Sequence, residues 1–199
     1  MKTHLFLDSS LYLQFGLLDE NFKWIDHILI ETTKSSNILH SELNRMMEKN
    51  RVSFDDVDTV FSVSGPGSYT GIRLVEGISQ ILTWQGKEVL SIYHFEIPKI
   101  VGFSSGVWMS EAFKGEAFIY QWNLNKEKKE LLPKTLLNDF DEENLFSHRT
   151  DFGSFPTTST SAMVFENPSK IFSYMLNNKT VREPYYYREL ESEFKVSQA

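Results

Sequence analysis

Gly65-Pro66-Gly67-Ser68-Tyr69-Thr70-Gly71-Ile72-Arg73 is the stretch on which the fold turns. It separates a strand-like run, Val57 to Val63, from a helix-like run that extends from about Ile72 to Trp84. A glycine-rich turn therefore delivers a strand into a helix N-terminus. The first backbone N–H groups of a helix lack intrahelical partners and sit at the positive end of its dipole, so such a turn can hold an anion. Gly65, Gly67 and Gly71 open conformations closed to residues with a Cβ, and Pro66 fixes one φ angle. Local geometry leaves two readings, a tight strand-to-helix connection or a phosphate-contacting turn. A P-loop is excluded, because no Gly-Lys-Ser/Thr ends the turn to bring a lysine to a phosphate chain.

Upstream of that turn, Leu5 to Asp8 and Tyr12 to Leu18 read as a hairpin with Ser9-Ser10 near its turn, and Trp24 to Glu31 reads as a third strand. Ser35 or Ser36 is the expected cap of a helix over Ser36 to Asn50, with Leu39, Leu43, Met46 and Met47 on one apolar stripe. Downstream, Leu74, Ile78, Ile81 and Leu82 form a second helical stripe, Gly86 ends that helix, and Glu88 to Ile92 is a strand. Strand, hairpin, helix, strand, helix, strand is an α/β pattern.

The second half is less regular. Val107 to Met109 and Ala117 to Asn123 read as paired strands, Leu131 to Leu137 as another, and Asp139 to Phe146 as a short helix or turn. Phe152 to Ser161 reads as a loop, Met163 to Glu166 as a buried strand, and Ser169 to Leu176 as a helix introduced by Pro168. The expected lobes are 1–103 and 104–199, dividing near Gly102 to Gly106. No internal repeat is visible in the residues.

With 199 residues, 41% of them hydrophobic and 14% aromatic, the chain can bury a substantial core as one domain or two small lobes. No apolar run spans a bilayer and the N-terminus leads straight into a strand, so a soluble cytoplasmic protein is expected. The absence of cysteine excludes disulfides, thiol catalysis and thiolate metal sites. A net charge of −7 argues against a broad nucleic-acid surface. The densest basic stretch, Lys126 to Lys129, is interrupted by Glu127 and reads as a solvated hairpin tip.

The nine residues from Gly65 to Arg73 resemble the Gly-Pro-Gly-Ser-Phe/Tyr-Thr-Gly-x-Arg signature of the TsaB (YeaZ) family. Asp8-Ser9-Ser10 at the end of the first strand and His40-Ser41 on the first helix fall in the order that family shows. Ala112 to Tyr120 and Pro184-Tyr185-Tyr186-Tyr187-Arg188 are weaker echoes of its second half. The resemblance implies the fold of the actin, Hsp70 and sugar-kinase superfamily, two α/β lobes with the second small and divergent. It implies a non-catalytic protein that binds a TsaD-like ATPase, with a TsaE-like protein in the same complex. That assembly carries out threonylcarbamoylation of the adenosine beside the anticodon, so tRNA is met only indirectly, and the chain alone can form a homodimer. The expected contacts are two first-lobe helices, with Ile38, Ile72 and Val75 lying off the core stripe as the candidate surface. Val75 and Glu76 depart from the small, apolar residues common there.

Four further features bear on chemistry. Asp8, Ser9 and Ser10 lie where superfamily ATPases put their first phosphate-contacting turn, and with Gly65, Gly67, Ser68 and Gly71 they are the candidate cofactor contacts; the alternative is that their side chains satisfy turn backbone groups. No cofactor is expected, with ATP the one candidate. TsaD-like relatives carry two histidines at i and i+4 for a metal; here the pattern is His94-Phe95-Glu96-Ile97-Pro98, and Pro98 has no ligand atom. His40-Ser41 are adjacent and so diverge by about a hundred degrees on a helix, which disfavours a base-nucleophile pair, and His40 is expected to pack or hydrogen-bond instead. No Gly-x-Ser-x-Gly elbow is present. The alternative to a scaffold is a small nucleotide-binding protein that uses Asp8 and the Gly65 to Gly71 turn; a third reading is a homodimeric module that has left the tRNA pathway.

Overall fold

A computed structural model describes residues 2–32, 34–137 and 144–187. In the first half, β1 (Thr3–Asp8), β2 (Leu13–Leu18) and β3 (Trp24–Ile30) precede α1 (Ser35–Asn50). They are followed by β4 (Val57–Val63), α2 (Tyr69–Trp84), β5 (Glu88–Ile92) and the short α3 (Ile97–Val101). The sheet order is β3-β2-β1-β4-β5, with β1 to β3 an antiparallel meander and β4 and β5 parallel to β1.

The second half contains β6 (Gly106–Glu111), β7 (Glu116–Asn123), β8 (Lys126–Pro133) and β9 (Leu145–Ser147). A small hairpin of β10 (Asp151–Phe152) and β11 (Phe155–Pro156) precedes β12 (Thr158–Ser159), α4 (Thr160–Glu166) and α5 (Pro168–Asn178). The second sheet runs β12-β9-β6-β7-β8. Numbered within its own half, each sheet has the order 3-2-1-4-5, with an antiparallel meander for the first three strands and parallel pairing for the last two. The duplication invisible in the residues is thus explicit in the topology. Where the first half places α2 between its fourth and fifth strands, the second has only the β10–β11 hairpin.

Side chains alternate across each sheet with the period of two that strands impose. Leu5 and Leu7 of β1 face a layer formed with Leu39, Leu43 and Met46 of α1 and Val75, Ile78 and Leu82 of α2. Phe6 faces the other way, into a core shared by both halves with Phe61, Trp108, Phe118, Tyr120 and Phe172. Val107, Met109 and Ile119, on the outer face of the second sheet, pack with Leu137 and Phe152.

Several expectations for the second half change. Met163 to Glu166 is helical within α4, because the Ser159 hydroxyl accepts from the Ala162 N–H and caps a helix that starts at Thr160. Phe152 to Ser161 is not an irregular loop but the β10–β11 hairpin, β12 and the first turn of α4. The strand expected over Leu131 to Leu137 begins earlier, at Lys126, and gives way to a 3-10 turn at Lys134–Leu136. Lys126 to Lys129 is therefore an edge strand rather than a tip; the tip is closed by Asn123, whose side-chain oxygen accepts from Asn125 and Lys126. Lys34, not Ser35 or Ser36, stands at the α1 N-cap, and it makes no side-chain capping bond. Residues 139–143 of the expected Asp139 to Phe146 helix or turn, and Arg188, lie outside the described residues. Among the described residues, no helix is long and apolar enough to cross a membrane.

Candidate functional site

The turn from Ser64 to Ser68 and the turn at Asp8 to Ser10 pack directly on one another. The Ser68 N–H donates to the Ser10 carbonyl at 2.6 Å, and Ser68 caps α2 by accepting from the Gly71 N–H. A Cβ on Gly67 would lie 2.3 Å from the Ser10 carbonyl oxygen, and one on Gly71 would lie 1.8 Å from that of Ser9. Those two glycines are required by backbone contact between the turns. The candidate residues Asp8, Ser9, Ser10, Gly65, Gly67, Ser68 and Gly71 are accordingly brought into one place.

Beside them lies a cleft of about 540 Å³ between the two halves. Ser10, Ser68 and Tyr69 line one wall; Ser110, Lys114, His148 and Arg149 line the other. Asp8 does not open into it. Its carboxylate is buried, accepts from the Ser10 N–H at 2.8 Å and the Ser10 hydroxyl at 2.7 Å, and meets His94 Nε2 at 3.0 Å.

Hydrogen accounting assigns the bond directions around His94. Thr160 Oγ1 donates to the Ser147 carbonyl, so it accepts from His94 Nδ1 at 3.0 Å. The Asp8 carboxylate can only accept, and the Ser10 hydroxyl hydrogen is committed to Asp8, so His94 Nε2 donates to both Asp8 and Ser10, the latter at 2.7 Å. His94 is thereby paired with the Asp8 carboxylate in the interior. Burial pushes the Asp8 carboxyl upward in pKa, but the His94 charge and the hydrogen bonds from His94 and Ser10 outweigh it and hold the group below the ordinary carboxylate value. His148, with its ring centroid 4.4 Å from that of His94, is held neutral: burial first, and the His94 charge second, bring its pKa to about 3. Its Nε2–H donates to the Pro66 carbonyl at 3.0 Å.

This cluster contains a serine, a histidine and an aspartate but is not a charge-relay triad. A triad places the serine on one imidazole nitrogen and the carboxylate on the other; here both meet Nε2, while Nδ1 faces Thr160. Nε2 is shared with the Asp8 carboxylate, and the Ser10 hydroxyl donates to Asp8, so the ring is not placed to take the Ser10 proton. Among the described residues, no group of three potential metal ligands occurs.

The other anticipated residues fall as follows. Ile72 and Val75 are only 2% and 3% exposed, and this corrects their assignment to a contact surface. Val75 sits in the α1–α2 layer with Ile78 and Leu82, while the segment Val181 to Pro184 runs back alongside α2 and shares a recess with Ile72 and Val75. Ile38 is partly buried against the same layer. The apolar groups that α2 presents to solvent are Ile81 and Trp84, 51% and 82% exposed. His40 is exposed rather than packed, and the Ser41 hydroxyl donates to the Ile38 carbonyl. Residue spacing does not reveal His148, Arg149 or Thr160, which reach the site from the far half; their only signal is a histidine in a segment rich in serine and threonine.

Fold and site together define a two-lobed α/β protein with a cleft between the lobes and its central carboxylate sealed by a histidine. No protein-family model matches the chain, and no curated protein does. Among solved structures it is similar to YeaZ from Pseudomonas aeruginosa, with a TM-score of 0.63 and 19% identity over 94% of this chain and 100% of that one. A second structure, described as an uncharacterized protein with similarity to peptidase YEAZ from Pseudomonas aeruginosa, superposes with a TM-score of 0.66 at the same identity and coverage.

Proposed function

We propose that this chain is a TsaB-like, non-catalytic scaffold. It docks on a TsaD-like ATPase and enables threonylcarbamoylation of the adenosine next to the anticodon in tRNA. The observation that carries the reading is the sealed carboxylate: Asp8, on the turn that the resemblance sets at the phosphate site of superfamily ATPases, is buried and committed to His94 and Ser10. The Gly65 to Arg73 signature and the fold shared with YeaZ along the full length of that protein support the family assignment. In this reading the work is done in the cytoplasm, a TsaE-like protein joins the complex, the partner holds most of the tRNA, and the chain forms a homodimer when alone.

The contact surface on this reading is the outer face of α2. Leu74, Gly77, Ile81 and Trp84 recur at helical spacing along one stripe; Gly77 has open space where a Cβ would be, and Ile81 and Trp84 are exposed. A small residue between large apolar ones lets a partner helix approach closely. The test is calorimetric titration with the TsaD-like protein of the same organism, with and without ATP, together with reconstitution of modified tRNA. Binding that falls at least about tenfold in Trp84→Ser is expected, since an exposed tryptophan at an interface centre contributes on that scale. No binding and no support of tRNA modification would refute the proposal, and ATP affinity in the chain alone would turn the assignment to a nucleotide-binding protein.

A further inference from the structure

The hydroxyls of Ser9 and Ser10 belong to different cavities. Ser10 lines the cleft between the halves, whereas Ser9 lines a separate enclosed cavity of about 80 Å³ where the first turns of α1 and α2 come together. Its other walls are Ser35 and Ser36 of α1, Ser68, Thr70 and Gly71 at the start of α2, and Leu11. No carboxylate lines it.

We infer that this cavity is a binding site for a small oxyanion of phosphate or sulfate type, held by the hydroxyls of Ser9, Ser35 and Ser68 between the two helix N-termini. Both helices are 16 residues long, and each directs the positive end of its dipole toward the same space. Neither has an acidic residue in its first turn. At α1 the N-cap residue is Lys34, a cation where the dipole favours an anion. The two N-termini therefore direct positive potential toward the cavity, and no side-chain carboxylate in its wall offsets it.

The second, independent observation is Ser9. It is 1% exposed, and its Oγ has no hydrogen-bond partner among the described residues. Burying a hydroxyl without a partner is costly, and such groups normally point to an ion or water. The Oγ lies 3.0 Å from the point where a Cβ on Gly71 would sit, so it lies beside the first turn of α2, against which the Ser9 backbone is packed. Ser68 Oγ already accepts from the Gly71 N–H, and its own hydrogen is therefore available to a ligand. Ser35 and Thr70 make no side-chain hydrogen bond among the described residues and add further donors. An acceptor-only, compact ligand satisfies this set; a cation or an apolar molecule does not. The site concerns the chain by itself and does not depend on any partner.

Nitrogen-15 spectra of the full chain, titrated with inorganic phosphate and then sulfate against sodium chloride at matched ionic strength, provide the test. Saturable one-to-one shifts centred on the amides of Ser36, Thr70 and Gly71 are expected, with chloride giving none. Ser9→Ala is expected to weaken phosphate by at least about tenfold, the scale of one hydrogen bond to a charged group. Ser36→Glu, an exposed change, places a carboxylate in the first turn of α1; it is expected to abolish phosphate shifts while the fold is retained, and it keeps the inference testable if Ser9→Ala does not fold. Shifts centred on Lys114 and Arg149 would put the anion in the cleft and overturn the inference. So would unsaturable shifts equal to those of chloride, or phosphate affinity unchanged in both variants.

Discussion

Replacing His94 with alanine removes one partner of a buried pair and leaves the Asp8 carboxylate in place. In the native protein the His94 side chain is fully buried and that of Asp8 is 4% exposed, with 3.0 Å between Nε2 and the carboxylate. His94→Ala deletes the bonds to Asp8, Ser10 and Thr160 and the stacking of the ring on Trp108, and it leaves the Asp8 charge with only the two bonds from Ser10. Removing one member of a buried ion pair typically costs about 3–5 kcal/mol, against a total stability of about 5–15 kcal/mol for a domain. The variant should therefore unfold at a much lower urea concentration at pH 7, with Trp108 as the natural reporter. Asp8→Asn should cost less, because it leaves no buried carboxylate and keeps a side chain that can hydrogen-bond Nε2. The double variant Asp8→Asn/His94→Ala, which leaves no buried carboxylate, should be more stable than the sum of the single losses. A loss under about 1 kcal/mol in His94→Ala, or strict additivity in the double variant, would refute the pairing. Because the Asp8 carboxyl is held below its ordinary value, the pair's contribution is present above about pH 4 and is lost only as pH falls through that lowered value.

His148 sets a different window. Its pKa is lowered from 6.5 to about 3, so the unfolded chain takes up a proton below pH 6.5 that the folded chain refuses. Stability is full above 6.5 and falls toward pH 3 by roughly 1.4 kcal/mol per pH unit for such a group, and His148→Gln should flatten that slope in urea melts between pH 7.5 and 4.5. His27, lowered to about 4 by burial, adds a fall of the same sign. Two glycines in one helix should respond oppositely to alanine. Gly71→Ala drives a Cβ into the Ser9 carbonyl and should cost at least about 3 kcal/mol or prevent folding, whereas Gly77→Ala meets no atom within 4 Å and should stabilise by up to about 1 kcal/mol. Equal melting temperatures for these two variants would contradict the packing of the Ser9 turn on α2.

The first half was legible because its local signals agree with its tertiary role. Alternation in Leu5, Phe6 and Leu7, the stripe from Leu39 to Met47, and the glycine turn each point to the element that forms. In the second half those signals conflict. Charged residues from Lys126 to Lys129 conceal an edge strand that survives because Tyr120 and its neighbours on β7 supply its pairing. The helix at Thr160 to Glu166 depends on one capping hydroxyl, and β9 and β12 are too short to leave a period. Ile72 and Val75 read as surface because nothing near them in sequence shows that Val181 to Pro184 returns to their side of α2. The Asp8–His94 pair spans 86 residues, so neither partner predicts the other.

The Asp8–His94–Thr160 chain also links the two walls of the cleft. It runs from the end of β1 in the first sheet, through the segment after β5, to the N-terminus of α4, where Thr160 donates to β9 of the second sheet. A hinge rotation of only about ten degrees, acting about 10 Å from its axis, would lengthen such a link by nearly 2 Å and break it. Two-lobed proteins that work by closing on a ligand need jaws that move. In this molecule a buried chain of hydrogen bonds ties the jaws together, so opening them would first have to break it.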